Sequence, residues 1–214
     1  MIRLILYDFD GTLANDIDVI LAIEKKLSKE FGVGSFSKAE MKRESKLSLL
    51  FKHVKCNILK LPSYYHEVQN ELETRFKKID VYPELRGVLH TLSENGFEQG
   101  IVSSNVVHHP VEHIKKWAQE KHLPPFKFVQ YASVFFGKSK CLKRILLDYD
   151  LKPEEVLYLG DEISDIKACK AVGIRIVAVN WGFTDSFKLL DYKPDFMISK
   201  PSQLLDIVKK LSKN

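Results

Sequence analysis

The sequence predicts an α/β fold in which helices cover both faces of a parallel sheet. Short apolar runs, each ending in polar residues, form four candidate strands: residues 2–9, 99–105, 156–161 and 174–180. Helical patterns follow the same alternating order along the chain: roughly 84–95, 109–121, 139–149 and 163–172. Nearly all-apolar strands are typical of a parallel sheet that is buried on both faces, and their alternation with helices favours this architecture.

Residues 15–82 interrupt the alternation of strands and helices. Three helical patterns are evident within this segment: about 16–31, about 38–55 and about 63–79. We find no strand-like run among them, and apolar spacing is helical throughout. The sequence therefore predicts a core domain of residues 1–14 and 83–214, with a helical domain of residues 15–82 inserted after the first strand.

Composition is that of a globular protein with a buried core. The chain has 214 residues, of which 45% are hydrophobic and 29% are charged. No apolar run approaches the ~20 residues needed to span a bilayer. Acidic residues follow the first apolar run at once, so we expect no signal peptide. The three cysteines are widely spaced, which favours reduced thiols and a cytoplasmic location.

Positive charge is concentrated in one part of the chain. The net charge is +5, and residues 38–60 contain seven basic and two acidic residues. This segment is either a surface that attracts an anionic substrate or a solvated helix face. The basic residues lack interleaved aromatics and a reading motif, so we expect no nucleic acid partner. We also expect no membrane partner, and a monomer or a weak homodimer.

Polar residues gather where the predicted strands end, and ligands of such sheets bind beyond the carboxyl ends of the strands. Two carboxylates that lie two residues apart, Asp8 and Asp10, need a cation or a shared proton to coexist. Magnesium takes oxygen ligands and suits such a cluster. The alternative is structural: a turn at Asp10-Gly11 and a helix N-terminal charge at Asp165. The strand-end residues are Asp8, Asp10, Ser103, Ser104, Asn105, Asp161 and Asp165.

Four segments together resemble the motifs of the haloacid dehalogenase-like hydrolase superfamily. Their order along the chain is also that of the superfamily, and they extend from residue 8 to residue 165. The segments are Asp8-Phe9-Asp10-Gly11-Thr12-Leu13, Ser103-Ser104-Asn105, Phe136-Gly137-Lys138 and Gly160-Asp161-Glu162-Ile163-Ser164-Asp165. The resemblance implies a Rossmann-like three-layer core and a C1-type helical cap.

The resemblance also implies the roles of the acidic residues. Asp8 would be the nucleophile that attacks the substrate phosphorus, which gives an aspartyl-phosphate. Asp10 would protonate the leaving oxygen and then activate the hydrolytic water. Mg²⁺ would be held by Asp8, the backbone carbonyl of Asp10 and Asp161, with Asp165 assisting.

Two further motifs supply the implied phosphate-binding residues. Ser103 or Ser104 would bind the transferring phosphoryl group, and the position directly after the apolar strand favours Ser103. The expected substrate-binding set is Gly11, Thr12, Ser103, Ser104 and Asn105. The active-site lysine would be Lys138 at a helix start, with Lys140 as the alternative.

A cap in this superfamily closes over the site, so the resemblance implies a small phosphorylated metabolite as substrate. We expect Lys42, Arg43 or Lys46 to contact it. Two other features have bland interpretations. The histidines at 108, 109 and 113 resemble a metal cluster, but no partnering Cys/Asp pattern surrounds them, which favours a loop followed by a surface helix. Residues 180–183 form a loop that borders the site or packs against it.

The predicted activity is magnesium-dependent hydrolysis of a small phosphate monoester. A phosphomutase or phosphotransferase of the same fold is one alternative, and a non-catalytic binding module is another. Asp10 argues against a dehalogenase, because dehalogenases of this superfamily do not keep the second aspartate of the first motif. A binding module would have no need of both Asp8 and Asp10.

Overall fold

A six-stranded parallel sheet forms the centre of the molecule, in a computed structural model that describes residues 1–32, 37–43, 61–105, 107–133 and 137–212. The spatial order of the strands is β5-β4-β1-β6-β7-β8. Their bounds are β1 Leu4–Tyr7, β4 Glu98–Ser103, β5 Phe128–Tyr131, β6 Val156–Gly160, β7 Arg175–Val179 and β8 Phe196–Ile198. The first strand is therefore central, and the chain crosses from one side of it to the other.

Helices cover both faces of the sheet, as the apolar strands predict. Alternate residues of β1 enter different apolar clusters: Ile5 and Tyr7 one, Leu4 and Leu6 the other. The first cluster includes residues of three helices: α4 Leu85–Glu94, α5 Pro110–Glu120 and α9 Gln203–Ser212. The second includes residues of three others: α6 Gly137–Asp148, α7 Ile163–Val172 and α8 Ser186–Asp191. The predicted α/β class and its three layers are confirmed.

The segment between β1 and α4 is helical but has a short sheet at its base. Its helices are α1 Ile17–Phe31, α2 Lys38–Arg43 and α3 Leu61–Arg75. Two-residue strands, β2 Ala14–Asn15 and β3 Asp80–Val81, pair antiparallel where the segment leaves and rejoins the core. The expectation of no strand in residues 15–82 is therefore wrong, because the two ends of the segment run side by side and satisfy each other's backbone groups.

Local sequence explains where several helices begin and end. Pro110 occupies the first turn of α5, where its missing N–H costs no hydrogen bond. Gly173 ends α7 in the left-handed region at φ 78°. Helix α6 begins at Gly137 rather than at 139, which places Lys138 in its first turn. Of the predicted helix 38–55, residues 44–55 lie outside the described part of the chain. Among the described residues, no helix is long and apolar enough to cross a membrane.

Candidate active site

The candidate site lies at the carboxyl edge of the sheet, around the end of β1. Asp8 directly follows this strand, and its backbone N–H donates to the carbonyl of Leu159 in β6 at 2.8 Å. On the other side of β1, Ser103 is the last residue of β4. A central strand with crossovers on both sides creates the crevice in which sheets of this type bind ligands.

Lys138 reaches Asp8 from the first turn of α6. Its Nζ lies 2.9 Å from Oδ2 of Asp8 and also contacts Oδ1 of Asp165. The side chain of Lys138 is only 9% exposed, whereas Lys140 is exposed. Of the two lysines that the sequence left open, the structure brings Lys138 to Asp8.

Two hydrogen bonds hold the carboxylate of Asp161. The hydroxyl of Thr12 donates to Oδ1 at 2.8 Å, and the backbone N–H of Phe183 donates to Oδ2 at 2.7 Å. Asp161 and Thr12 are both fully buried. The Thr12 hydroxyl, which the motif assigned to substrate binding, is thus directed to a candidate metal ligand.

The start of α7 fixes the carboxylate of Asp165, the second aspartate of the segment 160–165. Asp165 accepts a hydrogen bond from the backbone N–H of Glu162 at 3.0 Å, as the third residue of a capping box. The hydroxyl of Tyr158 lies 3.3 Å from its other oxygen. A Cβ at Gly160 would lie 2.6 Å from Oδ2 of Asp165, so only glycine leaves room for this carboxylate.

Burial dominates the electrostatics of this cluster. It raises the pKa of the Asp8 carboxyl well above its usual value; Asp165 raises it further and Lys138 offsets only part of the increase. Burial alone would lower the pKa of Lys138, but Asp165 and Asp8 raise it to well above its usual value. The Lys138 ammonium therefore stays charged, but it offsets only part of the effect of burial on Asp8.

The cluster fits a hard divalent cation. Asp8, Asp161 and Asp165 are buried, and one carboxylate oxygen from each lies within 4.8 Å of the others. Among the described residues, one ammonium, that of Lys138, faces the clustered carboxylates. Mg²⁺ favours such oxygen ligands and would supply further positive charge.

Asp10 does not join the three clustered carboxylates with its side chain. It is buried, and its Oδ1 accepts a hydrogen bond from the side-chain amide of Asn105 at 2.5 Å. Asn105 is oriented in turn, because its backbone N–H donates to the hydroxyl of Ser103 at 2.9 Å. Ser103 is buried and Ser104 is half-buried. The second motif therefore reaches the first through Asn105.

The turn after Asp10 depends on glycine. Gly11 has φ 73°, and a Cβ there would lie 2.4 Å from the ring of Phe183. Its backbone N–H donates to Oδ1 of Asp16 at 3.0 Å. Asp16 is fully buried, and it ties the turn to the start of α1.

A comparison with known families agrees with this arrangement. The family model described as haloacid dehalogenase-like hydrolase matches residues 5–179, a range that contains all four candidate motifs. The chain belongs to the haloacid dehalogenase-like hydrolase family.

Relatives within this family match along nearly the whole chain. A phosphoglycolate phosphatase from Synechococcus elongatus is 28% identical, with 97% of each chain covered. The pyrophosphatase PpaX from Bacillus cereus is 24% identical, with 100% of this chain and 99% of that relative covered. A predicted phosphoglycolate phosphatase from Haemophilus somnus shares the fold, with a TM-score of 0.81, 19% identity and coverage of 97% and 98%. The predicted enzyme class, a phosphatase of this family, agrees with these matches.

Two residues of this site, Asp16 and Tyr158, escaped the sequence analysis, and Phe183 was expected only as part of a loop that borders the site or packs against it. Asp16 lies outside the DxDGT segment, and its contact with Gly11 depends on the path of the turn. Tyr158 reads as an ordinary strand residue, although its hydroxyl faces Asp165. Phe183 contributes a backbone N–H, which no side-chain pattern signals. The signal in the sequence was the position of the loop 180–183 after a predicted strand, at the edge where ligands bind.

Two other features stand apart from these contacts. Of the three neighbouring histidines, the backbone N–H of His108 donates to Glu73 at 3.0 Å, and the ring of His113 lies 3.8 Å from the same carboxylate. In the basic segment, Lys38 pairs with Asp18. Residues 44–60, which include Lys46, lie outside the described residues, so the expected contact of Lys46 with substrate stays a prediction.

Proposed function

We propose that this family member catalyses Mg²⁺-dependent hydrolysis of a small-molecule phosphate monoester through a phosphorylated Asp8. The observation that carries the proposal is the position of Asp8: buried at the end of the central strand, against Lys138 and beside Asp161 and Asp165. A carboxylate in this setting can approach a phosphate dianion only where positive charge is concentrated.

Hydrolysis would proceed in two displacements. A carboxylate oxygen of Asp8 attacks phosphorus, the bond to the ester oxygen breaks, and Asp10 gives that oxygen a proton. Water then attacks the phosphorus of the phosphorylated Asp8 and loses a proton to Asp10, and the bond to Asp8 breaks to release inorganic phosphate. Splitting one difficult step into two is the advantage of a carboxylate nucleophile.

The hydrogen bond from Asn105 supports the role of Asp10. It fixes one oxygen of the Asp10 carboxyl, and the other oxygen would hold and accept the proton. A positioned acid and base of this kind contributes roughly 10²–10⁴-fold to rate. Ser103 and Lys138 flank the same crevice and would bind the phosphoryl oxygens, with Ser103 preferred over Ser104 because it is the last strand residue.

Asp8, Asp161 and Asp165 would hold Mg²⁺, together with the backbone carbonyl of Asp10. The ion would supply positive charge that neutralises the phosphoryl oxygens and the surrounding carboxylates. The Thr12 hydroxyl and the backbone N–H of Phe183 would then orient one ligand, because their hydrogen bonds fix the carboxylate of Asp161. Such outer contacts typically orient the ligands of a metal.

Residues 15–82 would form the cap over this site, with residues 1–14 and 83–214 as the core. The short β2–β3 sheet marks the two crossings between them. A capped crevice admits a small phosphorylated metabolite, and we expect Lys42, Arg43 or Lys46 to contact it. The printed names of the relatives make phosphoglycolate and pyrophosphate the first compounds to try.

The test is phosphate release from a panel of compounds, with and without Mg²⁺. The panel contains phosphoglycolate, hexose phosphates, pyridoxal phosphate, nucleotides and pyrophosphate. We expect Mg²⁺-dependent release that falls by at least about 10⁴-fold in Asp8→Asn, because the nucleophile is lost. Asp191→Asn, which removes an exposed carboxylate on α8, is the matched control and should retain activity.

Two outcomes would contradict the proposal. Release that persists in Asp8→Asn would exclude an intermediate on that residue. Absence of release from every compound, combined with Mg²⁺-dependent transfer between sugar phosphates when a sugar bisphosphate is added, would identify a mutase instead.

A further inference from the structure

The loop that follows β7 shares an apolar cluster with two of the inserted helices. Phe183 of this loop is buried in one apolar cluster with Met41 of α2 and Ile17 of α1. Met41 is 2% exposed, although the three preceding residues of α2 are all exposed. In addition, the backbone N–H of Asp185 donates to the carbonyl of Lys42 at 2.9 Å. Helix α2 therefore packs on this loop through Met41 and through the carbonyl of Lys42. These two contacts constitute the seating of α2 on the loop.

The same loop holds Asp161 from its other side. The backbone N–H of Phe183 donates to Oδ2 of Asp161. The preceding residue has no room for a side chain, because a Cβ at Gly182 would lie 2.3 Å from the Cβ of Asp161. The ring of Phe183 also fills the space in front of Gly11. Displacement of this loop would therefore displace the Asp161 carboxylate.

We propose that Phe183 is a positioning residue that couples the seating of α2 to the affinity of the metal site. The ring of Phe183 lies in one apolar cluster with Met41, and its N–H fixes an oxygen of Asp161, so one residue links the inserted helices to the carboxylate. The inference rests on the proposed function, in which Asp161 is a ligand of Mg²⁺. Coupling of this kind is reciprocal: if seated α2 strengthens Mg²⁺ binding, bound Mg²⁺ strengthens the seating of α2.

Simple packing would give a different result from coupling. If Met41 only fills space, shortening it lowers the stability of the inserted helices and leaves the affinity for Mg²⁺ as it was. If Met41 acts through Phe183, the same truncation weakens Mg²⁺ binding as well. Metal affinity in the absence of substrate therefore separates the two explanations.

The first experiment measures the Kd of Mg²⁺ by calorimetry on the full chain without substrate. We expect Met41→Ala to weaken binding about five-fold, less than the ~10–100-fold that loss of a direct outer contact to a ligand costs. Met41→Leu keeps the apolar volume and should retain the affinity of the native chain. Leu72→Ala creates a comparable cavity in α3, outside the cluster of Met41 and Phe183, and should leave the Kd unchanged.

The second experiment uses hydrogen exchange and requires no turnover. The amide of Asp185 reports the seating of α2, because its partner is the carbonyl of Lys42. We expect added Mg²⁺ to slow exchange in the peptide that contains this amide, and we expect Met41→Ala to abolish that slowing.

The outcomes separate this inference from the function on which it rests. If Met41→Ala binds Mg²⁺ as the native chain does, or if Leu72→Ala weakens binding equally, the coupling is refuted while the metal site stands. If the folded native chain binds no Mg²⁺, the proposed metal site fails and the coupling fails with it. Asp161→Asn tests the ligand directly and should remove binding.

Discussion

Two lysines of this molecule pair with carboxylates in opposite surroundings. Lys138, at the sheet edge, has a side chain 9% exposed and contacts both Asp8 and Asp165. Lys26, on α1, has a side chain 54% exposed and contacts Glu71 of α3. The first pair lies within the candidate site, whereas the second ties two of the inserted helices together.

The difference in burial determines what each pair does. Removing a charge from water costs several kcal/mol, and a buried ion pair is weak evidence for stability. The cluster around Lys138 is therefore better explained by chemistry that needs charge in a dry crevice. The pair of Lys26 and Glu71 lies nearer the surface, with the Lys26 side chain mostly exposed and that of Glu71 17% exposed. It loses less hydration than the buried cluster, and surface pairs typically contribute ~0.2–1 kcal/mol.

Replacing Lys138 should give the largest effect of the comparison. In Lys138→Met, the carboxylates of Asp8 and Asp165 lose their only cation within salt-bridge distance among the described residues. We expect phosphatase activity to fall about 10²–10³-fold, the loss typical of removing one electrostatic donor. Without Mg²⁺, the free energy of unfolding should fall by about 3–5 kcal/mol, because a buried pair is broken. Activity assays and chemical denaturation measure the two losses.

Lys140→Met is the matched control, since it changes an exposed lysine two residues further along the same helix. It should leave both activity and stability close to those of the native chain. Equal losses in the two variants would remove the distinction between Lys138 and Lys140.

The core could be predicted from the sequence because its strands are nearly all-apolar and its helices are long. The strands that escaped prediction, β5 and β8, have four and three residues, too few for a recognisable pattern. The β2–β3 pair has two residues on each side, and tertiary proximity alone brings them together.

Side-chain positions in the site followed from topology, since the carboxyl ends of parallel strands share one edge. Asp8, Asp161 and Ser103 are near one another for that reason. The interactions of Asp16 and Phe183 could not be predicted in this way. Each depends on the path of a loop. Because every residue type except proline has a backbone N–H, the residue type at 183 does not indicate that its N–H forms a hydrogen bond.

A second comparison is between a glycine at the site, Gly182, and a glycine in a helix, Gly87 of α4. Gly182→Ala would place a Cβ 2.3 Å from that of Asp161, so the loop or the carboxylate must shift. We expect activity to fall about 10–100-fold, as for a displaced ligand contact.

Gly87, within α4, has nothing within 4 Å of its Cβ position. Gly87→Ala should raise the free energy of unfolding by about 0.5–1 kcal/mol, because alanine loses less chain entropy.

Parallel activity assays and denaturation curves test both glycine variants. A fully active Gly182→Ala would show that the loop after β7 adjusts without moving Asp161. Such a result would also weaken the link from α2 to the metal site.

The smallest expected effect is on the free energy of unfolding, depends on pH, and concerns the pair of Lys26 and Glu71. The hydrogen bond from Lys26 lowers the pKa of Glu71, with a further contribution from Arg75. Because the folded-state pKa is depressed, the stabilisation is present above the unperturbed value of ~4.3 and is lost as pH falls through the folded pKa. We expect Glu71→Gln to lower the free energy of unfolding by about 0.5 kcal/mol at neutral pH, and the deficit to vanish in acid.

Denaturation of the native chain and Glu71→Gln across this pH range measures that deficit. Lys26→Met should show the same profile, and the double variant should lose less than the sum of the single losses, because each substitution removes the same interaction. A deficit of constant size at every pH would mean that Glu71 contributes through packing rather than through charge. The association of α1 with α3 would then depend on apolar contacts. Charge would matter at the buried Lys138 cluster but not at the pair of Lys26 and Glu71.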